Sequence, residues 1–306
     1  MNWFNFINLS FNTETYLATK SNLVKIADQD ANQVLTQHIS KINSIELDTI
    51  QYDNWLGILV DLLALMYNFD IEIAKHNLWV DCKRYWLFLA PQRSGPWHKV
   101  RIGRASGSVL AKACRDGKYS KSYASLELIA QEICGIIPKE FDERSKAFMA
   151  HGTKVEPITK GWHESKIGKP VLELPFAVPK WCPYIGVSVD GYIYADQGIC
   201  EYKAPQKMYQ DLQVRSQIVE SGLTVNNSDC NNIIKDHLFQ MYLGMMIFGK
   251  SFCDYVVYDC VTNNKVYIQR VIFDPQYWLT EIYPKLNHFI EQHLKKHMPA
   301  GYPLLP

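Results

Sequence analysis

The sequence predicts a mixed α/β (α+β) fold, with a central mixed sheet flanked by helices and a helical extension at the N-terminus. Apolar residues recur at intervals of three and four before residue 90, which is the spacing of helices. After Gly168 the pattern changes to short runs rich in Val, Tyr and Ile, which is typical of strands. A helical pattern returns over 231–249 and again over 275–297. Helices on both sides of a run of strands predict a layered fold built on a sheet.

The N-terminal part of the chain is predicted to be helical throughout. Residues 22–45 and 53–76 have apolar positions at helical spacing. A helix-breaking segment rich in Pro and Gly begins at Pro91 and separates this part from the remainder. In a chain of 306 residues we therefore expect a helical extension over 1–90 and a second domain over 91–306.

The second domain is predicted to begin with three helices and to continue with strands. The helices are expected over 97–115, 122–135 and 143–166. Asp196-Gln197-Gly198 and Thr262-Asn263-Asn264 are typical turn sequences, so each is expected to join two strands as a hairpin. The strands are expected over Val171–Val178, Tyr184–Val189, Tyr192–Ala195, Ile199–Lys203, Phe252–Cys260 and Lys265–Phe273.

The composition excludes several classes of protein. Apolar residues make up 47% and charged residues 21%, which is typical of a globular chain and excludes a disordered or collagen-like one. No two of the eight cysteines form a Cys-x-x-Cys pair, which argues against a structural zinc site and favours a reduced, intracellular protein. The longest apolar run, Trp55–Tyr67, contains Asp61 and is too short to cross about 30 Å of hydrocarbon. We therefore expect a soluble protein without a membrane partner.

Charge is distributed unevenly along the chain. The formal net charge is only +1, but Arg93–Lys121 carries eight basic residues and one acid, a net +7. The acidic excess elsewhere is strongest in residues 1–80, which carry four Lys against nine Asp or Glu. Arg side chains and Ser hydroxyls near a helix start are good phosphate ligands, so this segment is a candidate phosphate site. The alternative interpretation is a solvated basic helix face.

One hairpin carries the residue types of a metal-dependent hydrolase. Glu201 and Lys203 are two apart on a predicted strand, so their side chains point to the same face, and the hairpin brings Asp190 beside them. Carboxylates and an ammonium are costly to bury together unless something binds there, and Mg²⁺ is the natural occupant. Lys203 would then orient a metal-bound water. Glu156, on the preceding helix, is a further candidate ligand. The alternatives are an exposed hairpin with a surface ion pair and, for Glu156, a solvated helix charge.

These motifs, in this order, resemble the lambda-exonuclease-like, YqaJ-type viral recombinase nucleases of the PD-(D/E)XK superfamily, which are related to viral alkaline exonucleases. The resemblance covers about 93–290, roughly two-thirds of the chain. It rests on Trp97-His98-Lys99-Val100-Arg101-Ile102-Gly103, similar to Trp-His-x-x-Arg-x-Gly; on Ser106 and Ser108, similar to Thr/Ser-x-Ser; on Glu156, similar to Gly-x-x-x-Glu-Pro; on Ser188-Val189-Asp190-Gly191, similar to Ser-Pro-Asp-Gly; on Glu201-Tyr202-Lys203-Ala204-Pro205, similar to Glu-x-Lys-x-Pro; and on Gln240, at the position of a helical Gln.

The resemblance implies a role for each matching residue. Asp190, Glu201 and Glu156 would bind Mg²⁺, or Mn²⁺ as a substitute, with the backbone carbonyl of Tyr202 as an additional ligand, and Lys203 would position the attacking water. Arg101, Ser106, Ser108 and Ser188 would hold a 5′ phosphate, Arg115 or Lys118 would contact the phosphate next to the cut, and Gln240 would lie behind the site.

The activity that the resemblance implies is degradation of one strand of duplex DNA, 5′ to 3′ from a phosphorylated end, in viral or phage-type recombination, replication or repair. Alternatives on the same fold are an endonuclease, an RNA-degrading nuclease and a catalytically inactive DNA-binding accessory protein. The expected partners are double-stranded DNA ends and a single-strand annealing or single-stranded-DNA-binding protein. Some relatives form ring-shaped trimers, so a homo-oligomer is a further expectation, in the nucleus or cytoplasm of the infected cell.

Three positions depart from the family pattern. Val189 stands where Pro is usual, Tyr242 stands where a second Gln is often found, and the run Phe176–Val187 has no acid, whereas some relatives carry an Asp there. The number of metal ions is therefore left open. His293 and His297 are four apart on the last helix, but no Glu-x-x-His motif joins them, so we interpret them as solvated.

Overall fold

A computed structural model describes residues 79–90, 92–116, 125–205, 223–226, 233–259 and 265–306. The helices expected before residue 78, the turn Thr262-Asn263-Asn264 and Lys118 lie outside these residues. No helix in the described ranges is long and apolar enough to cross a membrane.

The described residues form seven labelled helices and eleven strands. The helices are α1 (Gly95–Val100), α2 (Gly107–Ala113), α3 (Leu126–Ile133), α4 (Glu143–Ile167), α5 (Lys235–Phe248), α6 (Pro275–Tyr277) and α7 (Tyr283–Gln292). The strands are β1 (Trp79–Asp81), β2 (Tyr85–Phe88), β3 (Ala105–Ser106), β4 (Val171–Leu172), β5 (Phe176–Pro179), β6 (Ile185–Gly186), β7 (Gly191–Ile193), β8 (Gly198–Lys203), β9 (Leu223–Asn226), β10 (Phe252–Asp259) and β11 (Lys265–Ile272).

The central sheet is mixed, as the sequence predicts, and has six strands in the order β4-β7-β8-β10-β11-β9. The pairs β8/β10 and β11/β9 are parallel, whereas β4/β7, β7/β8 and β10/β11 are antiparallel. β8, which carries Glu201 and Lys203, lies between β7 and β10. It is therefore an interior strand that is hydrogen-bonded along both edges.

Helices cover both faces of the central sheet. α5 is apolar on all sides and buried over most of its length, and its Gly244 lies against the side chain of Ile199 on β8. The opposite face of β8 packs against α4, whose His163 contacts the side chain of Tyr202. Alternate residues of β8 therefore face different helices, which is the arrangement expected for a central strand.

Two smaller sheets surround the central one. β1, β2 and β5 form an antiparallel sheet, and β3 pairs with β6 in parallel. The described part of the N-terminal segment, residues 79–90, thus contains two strands, of which β2 pairs with β5 and β1 pairs with β2. The division at residue 90 stays a prediction.

The single helix expected over 97–115 is wrong, because the chain is interrupted between α1 and α2. Gly103 has a left-handed backbone with φ 75°, and the short strand β3 follows it. Arg104, in this interruption, is only 1% exposed and donates hydrogen bonds to the carbonyls of Val100 and Leu304. The helical periodicity of the sequence does not reveal this break. One of the two hydrogen-bond partners of Arg104, the carbonyl of Leu304, lies 200 residues away, so no local pattern indicates it.

The C-terminal helix expected over 275–297 is also interrupted. A π-helical segment, Trp278–Ile282, separates α6 from α7, and Leu294–His297 form a 3₁₀ turn. Pro284 has no N–H to bond the carbonyl four residues earlier, which accounts for the widened turn before it. His293 and His297 are not simply solvated, because both rings contact the Glu127 carboxylate of α3, at 3.0 and 2.5 Å.

Candidate active site

The centre of the candidate site is the C-terminal end of β8. Glu201 is only 2% exposed, and the ammonium of Lys203 donates a hydrogen bond to its Oε1. The structure therefore places both side chains on the same face of the sheet, as the alternation along the strand predicts.

Asp190 lies at the edge of β8, just before β7. Its Oδ2 accepts a hydrogen bond of 2.8 Å from the backbone N–H of Tyr202. β7 stops pairing with β8 at the Gly191–Cys200 pair, so this N–H would have no strand partner without Asp190. The N–H and C=O of one strand residue point to the same edge, and the Tyr202 carbonyl therefore also points to the Asp190 side.

The two carboxylates compete for one ammonium. Burial raises the pKa of Asp190 to about 6, with the charge of Lys203 opposing the shift and the charge of Glu156 adding to it. Burial, and then the charge of Asp190, raises the pKa of Glu201 to about 8. Although burial acts against its charge, these carboxylates raise the pKa of Lys203 above the ordinary value. The site thus has an excess of negative charge that one lysine does not neutralise.

This donor set fits a hard divalent cation bound by few protein ligands. Within the described ranges, no group of three or more His, Cys, Asp or Glu side chains is arranged to hold a metal ion. Mg²⁺ is commonly held by one or two carboxylates, with waters and phosphate oxygens as the remaining ligands. The raised pKa values show that the negative charges of Asp190 and Glu201 are poorly compensated within the protein, and a bound cation would neutralise them.

Glu156 lies on α4 and faces the same site. Its Oε2 accepts a hydrogen bond of 2.8 Å from Nη2 of Arg93, and its side chain is 30% exposed. The charge of Glu156 raises the pKa of both Asp190 and Glu201, so the structure brings it within electrostatic range of the pair. Arg93 was counted only as part of the basic segment, and its pairing with Glu156 is a finding of the structure.

A fourth carboxylate, Glu173, was missed by the sequence reasoning. Burial raises its pKa, and the charges of Glu156 and Asp190 act in the same direction, while Lys160 of α4 opposes them. Glu173 directly follows β4 and lies three residues before Phe176, the first residue of the acid-free run Phe176–Val187. An acid inside the apolar run Val171–Val178 was the signal that could have identified it.

A polar pair from α5 and β10 lies beside Lys203 and was also missed. Nδ1 of His237 is 2.8 Å from the hydroxyl of Tyr255, the β10 residue in register with Glu201. Burial and then the charge of Lys203 hold the pKa of His237 well below its usual value, so the ring is neutral near pH 7. The spacing His237-x-x-Gln240 on one helix was the available signal.

Two of the predicted phosphate ligands, Arg101 and Ser106, line a cavity of about 170 Å³. Nη2 of Arg101 donates hydrogen bonds to the hydroxyls of Ser106, at 2.8 Å, and Ser108, at 3.2 Å. Burial lowers the pKa of Arg101 to about 10, which leaves it charged at neutral pH. Lys112 and Lys139 also line the cavity, and Glu132 is the acid among the lining residues. This excess of positive charge suits a phosphate.

A chain of contacts joins the cavity to the carboxylates. The guanidinium of Arg101 lies 4.0 Å from the centre of the Trp97 ring, and Nε1 of Trp97 donates a hydrogen bond of 2.9 Å to the hydroxyl of Ser188. Ser188 is two residues before Asp190. The predicted phosphate and metal residues therefore lie in one connected region.

The remaining predicted residues have different positions. Gln240 packs against Gly107, between the two serines, so closely that a Cβ at Gly107 would lie 2.8 Å from its Cγ. Arg115 is exposed just after α2, with φ 54°, and its backbone N–H donates a hydrogen bond of 3.0 Å to the carbonyl of Lys112. Lys118 lies outside the described residues.

The comparison with known families identifies this region. A model of the YqaJ-like viral recombinase domain matches residues 96–248, which is half of the chain. The chain belongs to this family. The matched range of the YqaJ-like domain includes Arg101, Glu156, Asp190, Glu201 and Gln240.

Solved structures share the fold of the YqaJ-like domain. An alkaline exonuclease (LHK-Exo) from Laribacter hongkongensis matches with 21% identity and a TM-score of 0.51, over 67% of this chain and 94% of that one, and its complex with dAMP gives the same values. A phage-related exonuclease from Haemophilus somnus 129PT matches with 11% identity and a TM-score of 0.42, over 63% and 93%. No curated protein matches. The first likeness confirms the predicted mixed α/β fold class, which this chain shares with an exonuclease.

Proposed function

We propose that the chain is a metal-dependent nuclease that hydrolyses one strand of duplex DNA, 5′ to 3′ from a phosphorylated end. The observation that carries the proposal is the buried pair of carboxylates, Asp190 and Glu201, beside a single lysine. Family membership and the fold shared with exonucleases support it. In this proposal Asp190 and Glu201 hold Mg²⁺ or Mn²⁺, with Glu156 and the Tyr202 carbonyl as further ligands.

A bound metal ion supplies Lewis-acid stabilisation of the charge that develops on the scissile phosphate. The chain's own residues provide orientation. Since the raised pKa of Lys203 keeps its ammonium protonated, Lys203 acts as a hydrogen-bond donor that orients the attacking water, not as a base. Asp190 and the Tyr202 N–H fix the edge of β8 against which the phosphodiester lies.

End recognition is assigned to the basic cavity. In the proposal, Arg101 with the hydroxyls of Ser106, Ser108 and Ser188 holds the terminal 5′ phosphate, because the guanidinium lies against two of these hydroxyls and Trp97 links it to the third. Gln240 packs against Gly107, the residue between Ser106 and Ser108. Arg115 or Lys118 contacts the phosphate next to the cut.

The wider proposal concerns assembly and context. The chain is proposed to have two parts, 1–90 and 91–306, and to work in recombination, replication or repair of viral or phage type. Its partners are proposed to be DNA ends and a single-strand annealing or single-stranded-DNA-binding protein, with a homo-oligomer as the assembled form in the nucleus or cytoplasm.

A substrate panel tests the activity. Purified protein with Mg²⁺ is expected to degrade a linear 5′-phosphorylated duplex and to leave a closed circular duplex intact, because an exonuclease needs an end. A gel assay with a label on each strand in turn gives the polarity, and a chelator is expected to stop the reaction. Cutting of the circle would favour an endonuclease, degradation of RNA would favour the RNA-degrading alternative, and inactivity on every substrate would overturn the proposal.

Metal affinity is expected to rise with pH. A cation binds the deprotonated carboxylates, and the pKa values of Asp190 and Glu201 are raised to about 6 and about 8. Mn²⁺ affinity should therefore rise about tenfold per pH unit between these values and level off above them. Calorimetry in buffers of different ionisation enthalpy should show proton release near pH 7. A flat affinity from pH 6 to 8 would contradict the assignment of this pair.

A further inference from the structure

A fully buried polar chain lies on the opposite face of β8 from Glu201 and Lys203. His163 of α4 is 0% exposed, and its Nδ1 is 3.1 Å from the hydroxyl of Tyr202 and 3.7 Å from Sγ of Cys200. Its Nε2 lies 3.5 Å from Oδ2 of Asp254 on β10, also 0% exposed. Within the described residues this Nε2 makes no hydrogen bond, so Asp254 is the charge that it faces.

The far end of this chain is held rigidly. Arg270 of β11 binds both oxygens of Asp254, with Nε at 2.7 Å and Nη2 at 2.9 Å. Burial alone would raise the pKa of Asp254, but the hydrogen bonds from Arg270 and the nearby His163 ring outweigh it and leave the pKa below the usual value. Asp254 is therefore a fixed negative charge, and it favours the tautomer in which Nε2 carries the proton and Nδ1 accepts from Tyr202.

The Tyr202 side chain that His163 contacts is packed against apolar residues. Tyr202 belongs to a cluster with Val171, Ile193, Phe252, Val256 and Ile268, where an aliphatic or aromatic side chain would fill the same space. A buried polar group costs free energy unless its partners are satisfied, so an imidazole at this position is expensive if packing is its whole purpose. A hydrogen bond to the Tyr202 hydroxyl restrains this side chain more strictly than packing does.

Tyr202 connects this buried chain to the candidate active site. It lies between Glu201 and Lys203, and its backbone N–H holds the carboxylate of Asp190 at 2.8 Å. A rotation or shift of Tyr202 would therefore displace the two carboxylates relative to each other. Small misplacements of ligands are costly, because Mg²⁺ and Mn²⁺ require well-defined coordination.

We propose that His163 is a positioning residue, which acts through Tyr202 to set the separation of Asp190 and Glu201 and thereby the affinity of the site for a divalent cation. The proposal rests on the proposed function, since it takes these two carboxylates as the metal-binding pair. It adds that the metal affinity is set in part from the far face of the sheet, by a side chain that touches neither carboxylate.

The test measures Mn²⁺ binding without DNA, by calorimetry on the full chain. His163→Phe keeps the volume of the ring and removes the hydrogen bond, and Tyr202→Phe removes the same bond from the other side. Each is expected to weaken Mn²⁺ binding by about tenfold, and the double variant by no more than either single one, because both remove one interaction. His163→Asn retains a polar atom near the position of Nδ1 and is expected to stay within about twofold of the wild type.

Thr159→Val is the matched control. Thr159 is also fully buried on α4, one turn before His163, but within the described part of the chain its hydroxyl bonds the carbonyl of Val155 in its own helix. It is expected to lower the melting temperature without changing Mn²⁺ affinity.

The outcomes separate the two proposals. If the wild type binds no Mn²⁺, the proposed function fails. If the wild type binds and Tyr202→Phe binds equally well, the positioning role of His163 is overturned while the function stands. If His163→Phe does not fold, Tyr202→Phe and His163→Asn decide the result.

Discussion

Replacing Lys203 by Ala is expected to lower nuclease activity by about a thousandfold while Mn²⁺ still binds. The ammonium is the positive side chain that hydrogen-bonds Glu201, and its raised pKa keeps it charged throughout the working range. Without it, the attacking water loses its orienting donor and the carboxylates repel each other more strongly. Single-turnover cleavage of a labelled 5′-phosphorylated duplex measures the loss in the chemical step.

Two further variants make this result specific. Glu201→Gln preserves shape but removes charge, and is expected to abolish both cleavage and Mn²⁺ binding. Lys180→Ala removes an ammonium that pairs with Asp81, and should leave activity unchanged. If Lys203→Ala or Glu201→Gln retains wild-type activity, the assignment of the active site is wrong.

Local signals in the sequence were sufficient for the elements that hold this site. Alternation along β8 predicted that Glu201 and Lys203 share a face, and their ion pair confirms that placement. The helix expected over 143–166 is observed as α4, because Asp142 caps its first turn and Gly168, at φ 64°, ends it. Strand alternation and helix capping both involve residues close together in the sequence, so both can be predicted from it.

Partners from distant parts of the chain were not readable in this way. The pairing of Arg93 with Glu156 spans 63 residues, and that of His163 with Tyr202 spans 39. Such contacts depend on the strand order β4-β7-β8-β10, which no local periodicity encodes. Glu173 is an intermediate case, since the acid inside an apolar run is a local signal, but its carboxylate acquires its charged neighbours only in the folded chain.

The basic segment shows how the fold changes the meaning of a charge count. The sequence gives eight basic residues over Arg93–Lys121, but the structure divides those that it describes among different tasks. Arg93 pairs with Glu156, and Arg101 binds the hydroxyls of Ser106 and Ser108. The proposed phosphate site is therefore centred on Arg101 and not on the whole segment.

Replacing Arg101 by Ala is expected to remove the preference for 5′-phosphorylated ends. A charged hydrogen bond to phosphate contributes about 1.5–3 kcal/mol, so cleavage of phosphorylated ends should fall by about 10- to 100-fold. Unphosphorylated ends should change little, because they lack the group that Arg101 holds. Initial rates on two duplexes that differ only in the terminal phosphate measure the effect.

Two further variants distinguish the specific role of the Arg101 guanidinium from the effect of positive charge in general. Arg101→Lys keeps the charge but loses the fork that reaches two hydroxyls and the contact with Trp97, so it should recover only part of the preference. Lys99→Ala removes an exposed positive charge from α1, the helix that ends just before Arg101. It should lower the cleavage rates of both duplexes slightly and to the same extent. If Arg101→Ala lowers the cleavage rates of phosphorylated and unphosphorylated ends equally, the cavity does not recognise the terminal phosphate.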